Sequence, residues 1–350
     1  MKASLTSASM RPRTWARELI FEGLYRSGYL EIRQARGTDA GVIFMLHRVA
    51  EPGKPILAPN LVAKSVFLKR ALQHIRDLGW DIVSLDEASR RIECGEGKRF
   101  VCFTFDDGYK DTLEIALPLF KQHGAPLCVY VTTGLVDRNA FLWWPVLENL
   151  LLARDNVRYV SEGREQQIRT ATIEQKRAAY ELLFPIIKTN FQAIPFFELN
   201  GIDPKATLDT LILTWTDVQK LAAEPLVEIG CHTVTHPELA TLSTADAKRE
   251  LEESRSVLRE KTGRRISHVS YPFGTEKECG AREFEIAREM GFRTGTTTRR
   301  GHVVPEHKDH LTALPRINVP GSDSASLRFI RKCLFGDSLR LNYATPLVTD

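Results

Sequence analysis

At 350 residues the chain can form one large α/β domain with insertions or two modest domains, and its core needs no disulfides. Hydrophobic residues at 43% and charged residues at 26% are ordinary for a globular protein. A balance of 48 basic against 44 acidic residues, net +4, argues against a nucleic-acid partner, which calls for a concentrated basic stripe.

The cysteines Cys94, Cys102, Cys128, Cys231, Cys279 and Cys333 are scattered and form no C-x-x-C pair, which fits a reducing compartment. No apolar run approaches the roughly 20 residues of a membrane span. The basic N-terminus leads into an amphipathic stretch in place of the apolar segment of a secretory leader, so a cytoplasmic location is expected.

Residues 1–40 read as a helical extension. Within it, residues 13–35 place Trp15, Leu19, Leu24 and Tyr25 on one side with arginines interleaved. That pattern fits a helix packed on its own domain, or a peripheral contact with a membrane surface. Residues 41–47 form a short apolar run ending in His47, the mark of a buried parallel strand. A helix over 64–78, a strand over 80–83 and a helix opened by the capping-box tetrapeptide Ser84-Leu85-Asp86-Glu87 follow. Residues 100–105 predict a strand, 110–123 a helix and 127–131 another strand. Residues 141–213 break the rhythm and predict a helical insertion able to cap a site. A helix starts near Trp215, where Thr216 and Gln219 fit a capping box. The alternation then resumes with strands at 226–230, 267–271, 292–295 and 312–314, and helices at 244–262 and 281–290. Such β-then-α repeats without a glycine-rich phosphate loop favour a barrel over residues 41–340, with chemistry at the C-terminal ends of its strands.

Polar clusters fall at those strand ends. Asp106-Asp107-Gly108 closes one strand, and Gly108 permits a left-handed turn that would bring both carboxylates into one pocket. The other reading is a helix N-cap with solvent-facing acids. His232-Thr233-Val234-Thr235-His236 follows another strand, and His-x3-His spacing predicts two imidazoles one turn apart on one side, ready for a divalent metal. Two imidazole nitrogens and one carboxylate oxygen, with a second carboxylate free, describe a catalytic metal site able to activate water.

Thr104-Phe105-Asp106-Asp107-Gly108 followed by His232-Thr233-Val234-Thr235-His236 resembles the polysaccharide deacetylase family, whose domain is the NodB-homology fold. The group includes chitin, chitooligosaccharide and peptidoglycan deacetylases. The resemblance covers roughly residues 41–136 and 213–320. It implies a distorted barrel of about seven β/α units and a hydrolase that removes N-acetyl groups from an N-acetylated oligo- or polysaccharide, or its precursor. It further implies Asp106 as general base and Asp107, His232 and His236 as metal ligands. That donor set suits zinc first, with cobalt or nickel also accommodated.

Ser270-Tyr271-Pro272-Phe273-Gly274 resembles the family's third motif, usually Arg-Pro-Pro-Tyr, which implies that the backbone N–H of Phe273 holds the oxyanion. The arginine that braces the base is replaced here by Ser270. Arg316, after a late strand, is placed to approach Asp106 instead, or to be structural. The family's last motif supplies a histidine acid, and the corresponding region, residues 314–319, has none. His47 is the leading candidate for that acid, ahead of His302, His307 and His310. Trp143 and Trp144 are candidates for stacking on sugar rings or for packing the cap, and Tyr109 and Tyr271 for touching substrate. His74, His123 and His268 need no functional explanation. Two rivals stay in view. Glycoside hydrolysis fits adjacent carboxylates poorly. A non-catalytic carbohydrate-binding protein on a degenerate deacetylase scaffold is the alternative that the missing arginine and histidine favour.

Overall fold

The structure, a computed structural model, describes residues 23–24, 26–27, 40–190, 193–321 and 326–335. The expected helical extension, and with it the membrane contact through residues 13–35, therefore falls almost wholly outside the described residues.

Eight parallel strands build one curled sheet: β1 (Gly41–Leu46), β2 (Asp81–Ile82), β3 (Phe100–Phe105), β4 (Leu127–Val131), β5 (Val227–Cys231), β6 (His268–Ser270), β7 (Thr294–Thr296) and β8 (Ile317–Asn318). Their order is β7-β6-β5-β4-β3-β1-β8, and β2 pairs with the first residues of β3 where β4 does not reach. The sheet curls until its ends meet. Leu314 donates to the Gly295 carbonyl at 2.8 Å, and its own carbonyl accepts from the Thr297 amide at 2.9 Å. The result is the expected distorted (β/α) barrel of about seven strands.

Strand alternation divides the side chains between two cores. Val42, Phe44, Val101, Phe103, Val129 and Val131 face outward into a large apolar layer under the helices. Ile43, Phe100, Cys102, Cys128, Tyr130 and Leu314 face inward and fill the barrel. The same alternation carries Thr104 and Asp106 onto the inner face, along the line from Phe100 and Cys102. A strand that reads as uniformly apolar thus delivers polar groups to the interior only at its C-terminal end.

Four local expectations are corrected. The last strand is β8, and residues 311–313 are a single 3-10 turn, because Leu314 is spent on closing the barrel. The helix over 110–123 begins with a π turn at Thr112–Ala116. The capping box near Trp215 is Thr214 with Asp217, two residues earlier than Thr216 and Gln219. The insertion is not only helical. Between helices Trp143–Ala153 and Ile173–Asn190 it carries an antiparallel hairpin, Asn156–Ser161 with Arg164–Arg169, turned by Glu162 and Gly163, both at positive φ. Helices Ala193–Leu199 and Pro204–Leu211 complete it.

This lobe is pinned where it leaves and rejoins the barrel. Nη1 of Arg138 donates to the carbonyls of Leu135, Val136 and Leu213, and its Nη2 to that of Ile212. The Leu213 amide donates to the Gly108 carbonyl at 3.0 Å, so the lobe's end is bonded to the turn that carries the paired aspartates.

Candidate active site

The turn after β3 brings both carboxylates into one pocket by a route that needs two left-handed residues, Asp107 (φ 74) and Gly108 (φ 84). Among the described residues six non-glycines have positive φ, and four of them are Asp107, Thr233, His236 and Phe273. Such conformations cost on the order of 1–3 kcal/mol each and persist only where surrounding contacts impose them. Here they collect at the mouth of the barrel.

Residues 232–236 are not a turn of helix, which corrects the expectation drawn from the His-x3-His spacing. They form a loop whose positive φ at Thr233 and His236 turns both imidazoles inward. Glu250, from helix Thr244–Thr262, holds this loop. Its Oε2 accepts from the amides of Val234 at 2.8 Å and Thr235 at 2.9 Å, and its Oε1 from the Thr235 hydroxyl at 2.7 Å. On the other side the Gly134 amide donates to the Val234 carbonyl at 2.9 Å. A Cβ on Gly134 would lie 2.5 Å from that carbonyl oxygen, so only glycine allows the approach.

Nε2 of His232 and Nε2 of His236 lie 3.3 Å and 3.2 Å from Asp107 Oδ1. Oδ1 is buried and accepts no hydrogen bond. Nδ1 of His232 is 2.7 Å from the Ser270 carbonyl oxygen. A carbonyl can only accept, so Nδ1 carries a proton, and in the neutral ring this leaves Nε2, the nitrogen facing Asp107, as the free donor atom. A buried carboxylate oxygen with no hydrogen bond calls for a positive partner. The three donor atoms, all within 4.8 Å of one another, therefore fit a divalent metal. Burial alone would raise the Asp107 carboxyl, but the imidazoles of His232 and His236 hold it well below the usual carboxylate range.

Asp106 is separate from that triad. Arg316 grips it through both oxygens, Nη1 to Oδ1 at 2.8 Å and Nη2 to Oδ2 at 2.7 Å. Arg316 is fully buried, and its other donors go to Thr104 Oγ1, Ser270 Oγ and the Thr297 carbonyl. Burial would push the Asp106 carboxyl up, but this guanidinium, with His232, holds it below its ordinary value. Asp106 is thus an ionised carboxylate at neutral pH, fixed in orientation.

A cleft of about 900 Å³ opens over these groups. His47 lines it together with Asp106, Asp107, His232 and His236. Burial holds His47 below the usual imidazole value even though Asp107 and Asp106 pull the other way, and its Nδ1 has no hydrogen-bond partner. The loop of His302, His307 and His310 leads away from the cleft. Val303 pairs with Gly41, at the opposite end of β1 from His47, and His307 Nδ1 is used within its own turn. Phe273 flanks the cleft at φ 59, its ring 4.9 Å from that of His236. Trp143 and Trp144 line the cleft and pack into the core as well, Trp143 on Phe184 at 4.7 Å and Trp144 on His236 at 5.7 Å.

Two expectations fail. Tyr271 points outward, buried against Phe284, and donates to the Thr312 carbonyl at 2.8 Å. Tyr109 is buried below the cleft with the Arg48 guanidinium over its ring. Neither lines the cleft. Glu250, Thr104 and Thr297 were given no part by the sequence. A glutamate on a charged helix and a threonine inside an apolar strand carry no signal until the fold is known. Glu148 belongs with them. It lies buried on helix Trp143–Ala153, accepts from Arg48 at 2.9 Å and from the amides of Leu57 and Ala58, and so ties the lobe to the loop after β1.

The model of the polysaccharide deacetylase family matches residues 95–295, more than half of the sequence, including both aspartates and both histidines. The chain belongs to the polysaccharide deacetylase family. Its activity is accordingly that of a deacetylase, acting on a carbon–nitrogen amide bond. No curated protein matches it significantly. Among solved structures, the Streptococcus pyogenes deacetylase PplD in complex with acetate is similar at a TM-score of 0.54 and 19% identity, covering 81% of this chain and 94% of that one. IcaB from Ammonifex degensii gives 0.53 and 17%, covering 84% and 97%. A de-N-acetylase from Aggregatibacter actinomycetemcomitans gives 0.52 and 13%, covering 84% and 99%. At such identities the likeness concerns the fold.

Proposed function

We propose that this deacetylase is metal-dependent and removes the acetyl group from an N-acetylated sugar within an oligosaccharide, a polysaccharide or its precursor. The observation that carries the reading is the division of labour between adjacent carboxylates. Asp107 converges with two imidazoles, while Asp106 is held apart by Arg316 with its charge intact.

Asp107, His232 and His236 would hold the metal. Two histidines and one carboxylate with room for further ligands suit zinc, which when bound polarises the amide carbonyl and lowers the pKa of water. Asp106 takes the proton from the attacking water, since it is ionised and aimed into the cleft. The backbone N–H of Phe273 donates to the oxyanion as the carbonyl carbon becomes tetrahedral. His47 faces the same space and hands a proton to the departing amine. It rests neutral, so it takes up a proton from bulk water in the substrate complex, and Asp106 releases the proton it received to bulk water as the products leave. Acetate and a free amino sugar leave. The test is acetate release from N-acetylglucosamine oligomers by the zinc-loaded protein, with and without chelator. Turnover that persists in full after the metal is stripped sinks the metal-dependent reading.

A further inference from the structure

The cleft does not stop at the metal ligands. Beyond the two tryptophans the lobe's share of its wall is Phe141, Phe184, Ile187 and Ile194, with Lys188 as the one charged member. On the other side of Ile187, the one residue that lines both spaces, lies a second hollow of about 150 Å³ between the lobe's hairpin and its helices. Its lining includes Tyr159, Val160, Leu183, Ile186, Pro195 and Phe196. The one polar side-chain atom there, the Tyr159 hydroxyl, already donates to Gln166 at 2.9 Å. Three of the four most exposed large aliphatic side chains among the described residues, Val160, Leu182 and Ile194, sit on this same lobe.

A sugar ring carries hydroxyls around its whole edge. In this hollow they would lose water and find no partner, which is the costly way to bury a polar group. A hydrocarbon chain meets no such penalty, and an apolar wall with an exposed apolar lip suits it. We propose that the substrate is a lipid-linked N-acetylated sugar: the acetamido group reaches the metal triad while a hydrocarbon chain joined to the sugar runs along Phe184 and displaces the Ile187 side chain to enter the hollow. The proposal rests on the deacetylase reading and names the substrate class for the same site.

The experiment is calorimetric titration of zinc-loaded Asp106→Asn protein with N-acetylglucosamine alkyl glycosides from methyl to octyl, kept below their micellar concentrations. Acetate release by the unaltered protein is measured on the same series. Each methylene that enters the hollow should tighten binding about fourfold, and octyl should exceed butyl by at least tenfold. Ile187→Asp should flatten that dependence. So should Ile194→Ser, at a position 57% exposed whose change leaves the core intact. Equal affinity for butyl and octyl glycosides overturns the proposal, as does a chain-length gain that both variants leave untouched. Acetate release independent of chain length, with binding equally flat, removes the lipid and keeps the deacetylase. Binding that strengthens with chain length while no glycoside releases acetate counts against the deacetylase reading and leaves the hydrocarbon channel in place.

Discussion

Asp106 and Arg316 form a two-point pair with no exposed guanidinium atom, and the consequences of cutting it depend on which side is cut. Asp106→Asn keeps the shape and removes the charge proposed to accept the water's proton. Acetate release should fall by roughly 10²–10⁴-fold, the usual contribution of a positioned base, while metal content measured by atomic emission stays near one ion per chain. Arg316→Met strands a buried carboxylate, so urea unfolding should show a loss of about 3–5 kcal/mol. Arg316→Lys keeps a cation but not the planar fork that meets both oxygens, and should lower kcat with little change in fold. A fully active Arg316→Lys protein would show that orientation of Asp106 does not matter. A pH consequence follows from Asp111, whose carboxyl burial pushes up to about 6 despite the pairing with Arg48. Its folded value exceeds its unfolded one, so the native state holds the proton longer. The contribution of Asp111 to stability should therefore decline as pH rises from about 4 to about 6 and be level above that. The stability difference between the unaltered protein and Asp111→Asn, measured by denaturation at each pH, should change across that window and be constant above it.

At the scale of elements, the two catalytic loops are strained turns held by neighbours from elsewhere in the chain. Glu250 gives all its side-chain bonds to residues 234–235, three positions or fewer from a metal ligand. Glu250→Ala should weaken zinc binding about 10–100-fold, as loss of such supporting groups does, measured by competition with a chromophoric chelator. How much of this could be read beforehand differs by element. β1, β3 and β4 were legible to within a residue because buried parallel strands are uninterrupted apolar runs. The chemistry at their ends was legible because Asp106-Asp107-Gly108 and His232 to His236 break those runs with polar residues. The loop geometry was not. His-x3-His spacing is equally compatible with a helical turn, and only Glu250 and Gly134, distant in sequence, select the left-handed path. The hairpin at 156–169 was hidden by Arg, Glu and Gln at its exposed positions, with few apolar residues to mark the strand period. Tyr271 followed the apolar side of its strand, so its neighbour Ser270 faces the site in its place.

For the molecule as a whole, the proposed metal site ties binding to the fold. The three ligands come from the ends of β3 and β5, and the loop between the two histidines leans on helix Thr244–Thr262. A cation that binds only the folded chain stabilises it by about 2.7 kcal/mol when free metal is a hundredfold above Kd. Chelator should therefore lower Tm as well as remove turnover, and zinc should restore both. The order of strands matters here too, since β1, carrying His47, lies beside β3, and β8, which follows Arg316, lies beside β1. Four segments far apart in sequence thereby meet at one mouth.

The clamp made by Arg138 has a practical meaning. It holds the start of the lobe and the carbonyls of Ile212 and Leu213 at its end against one guanidinium, so roughly seventy residues leave and return through a single doorway. A segment with adjacent ends can be exchanged without rethreading the barrel. The reacting groups Asp106, Asp107, His232 and His236 lie outside it, whereas Trp143, Phe184 and Ile187 lie inside. On the proposed reading, chemistry and taste are encoded in different stretches of the gene. Grafting another family member's lobe between Arg138 and Leu213 should change which molecules are accepted and leave the hydrolytic engine as it is.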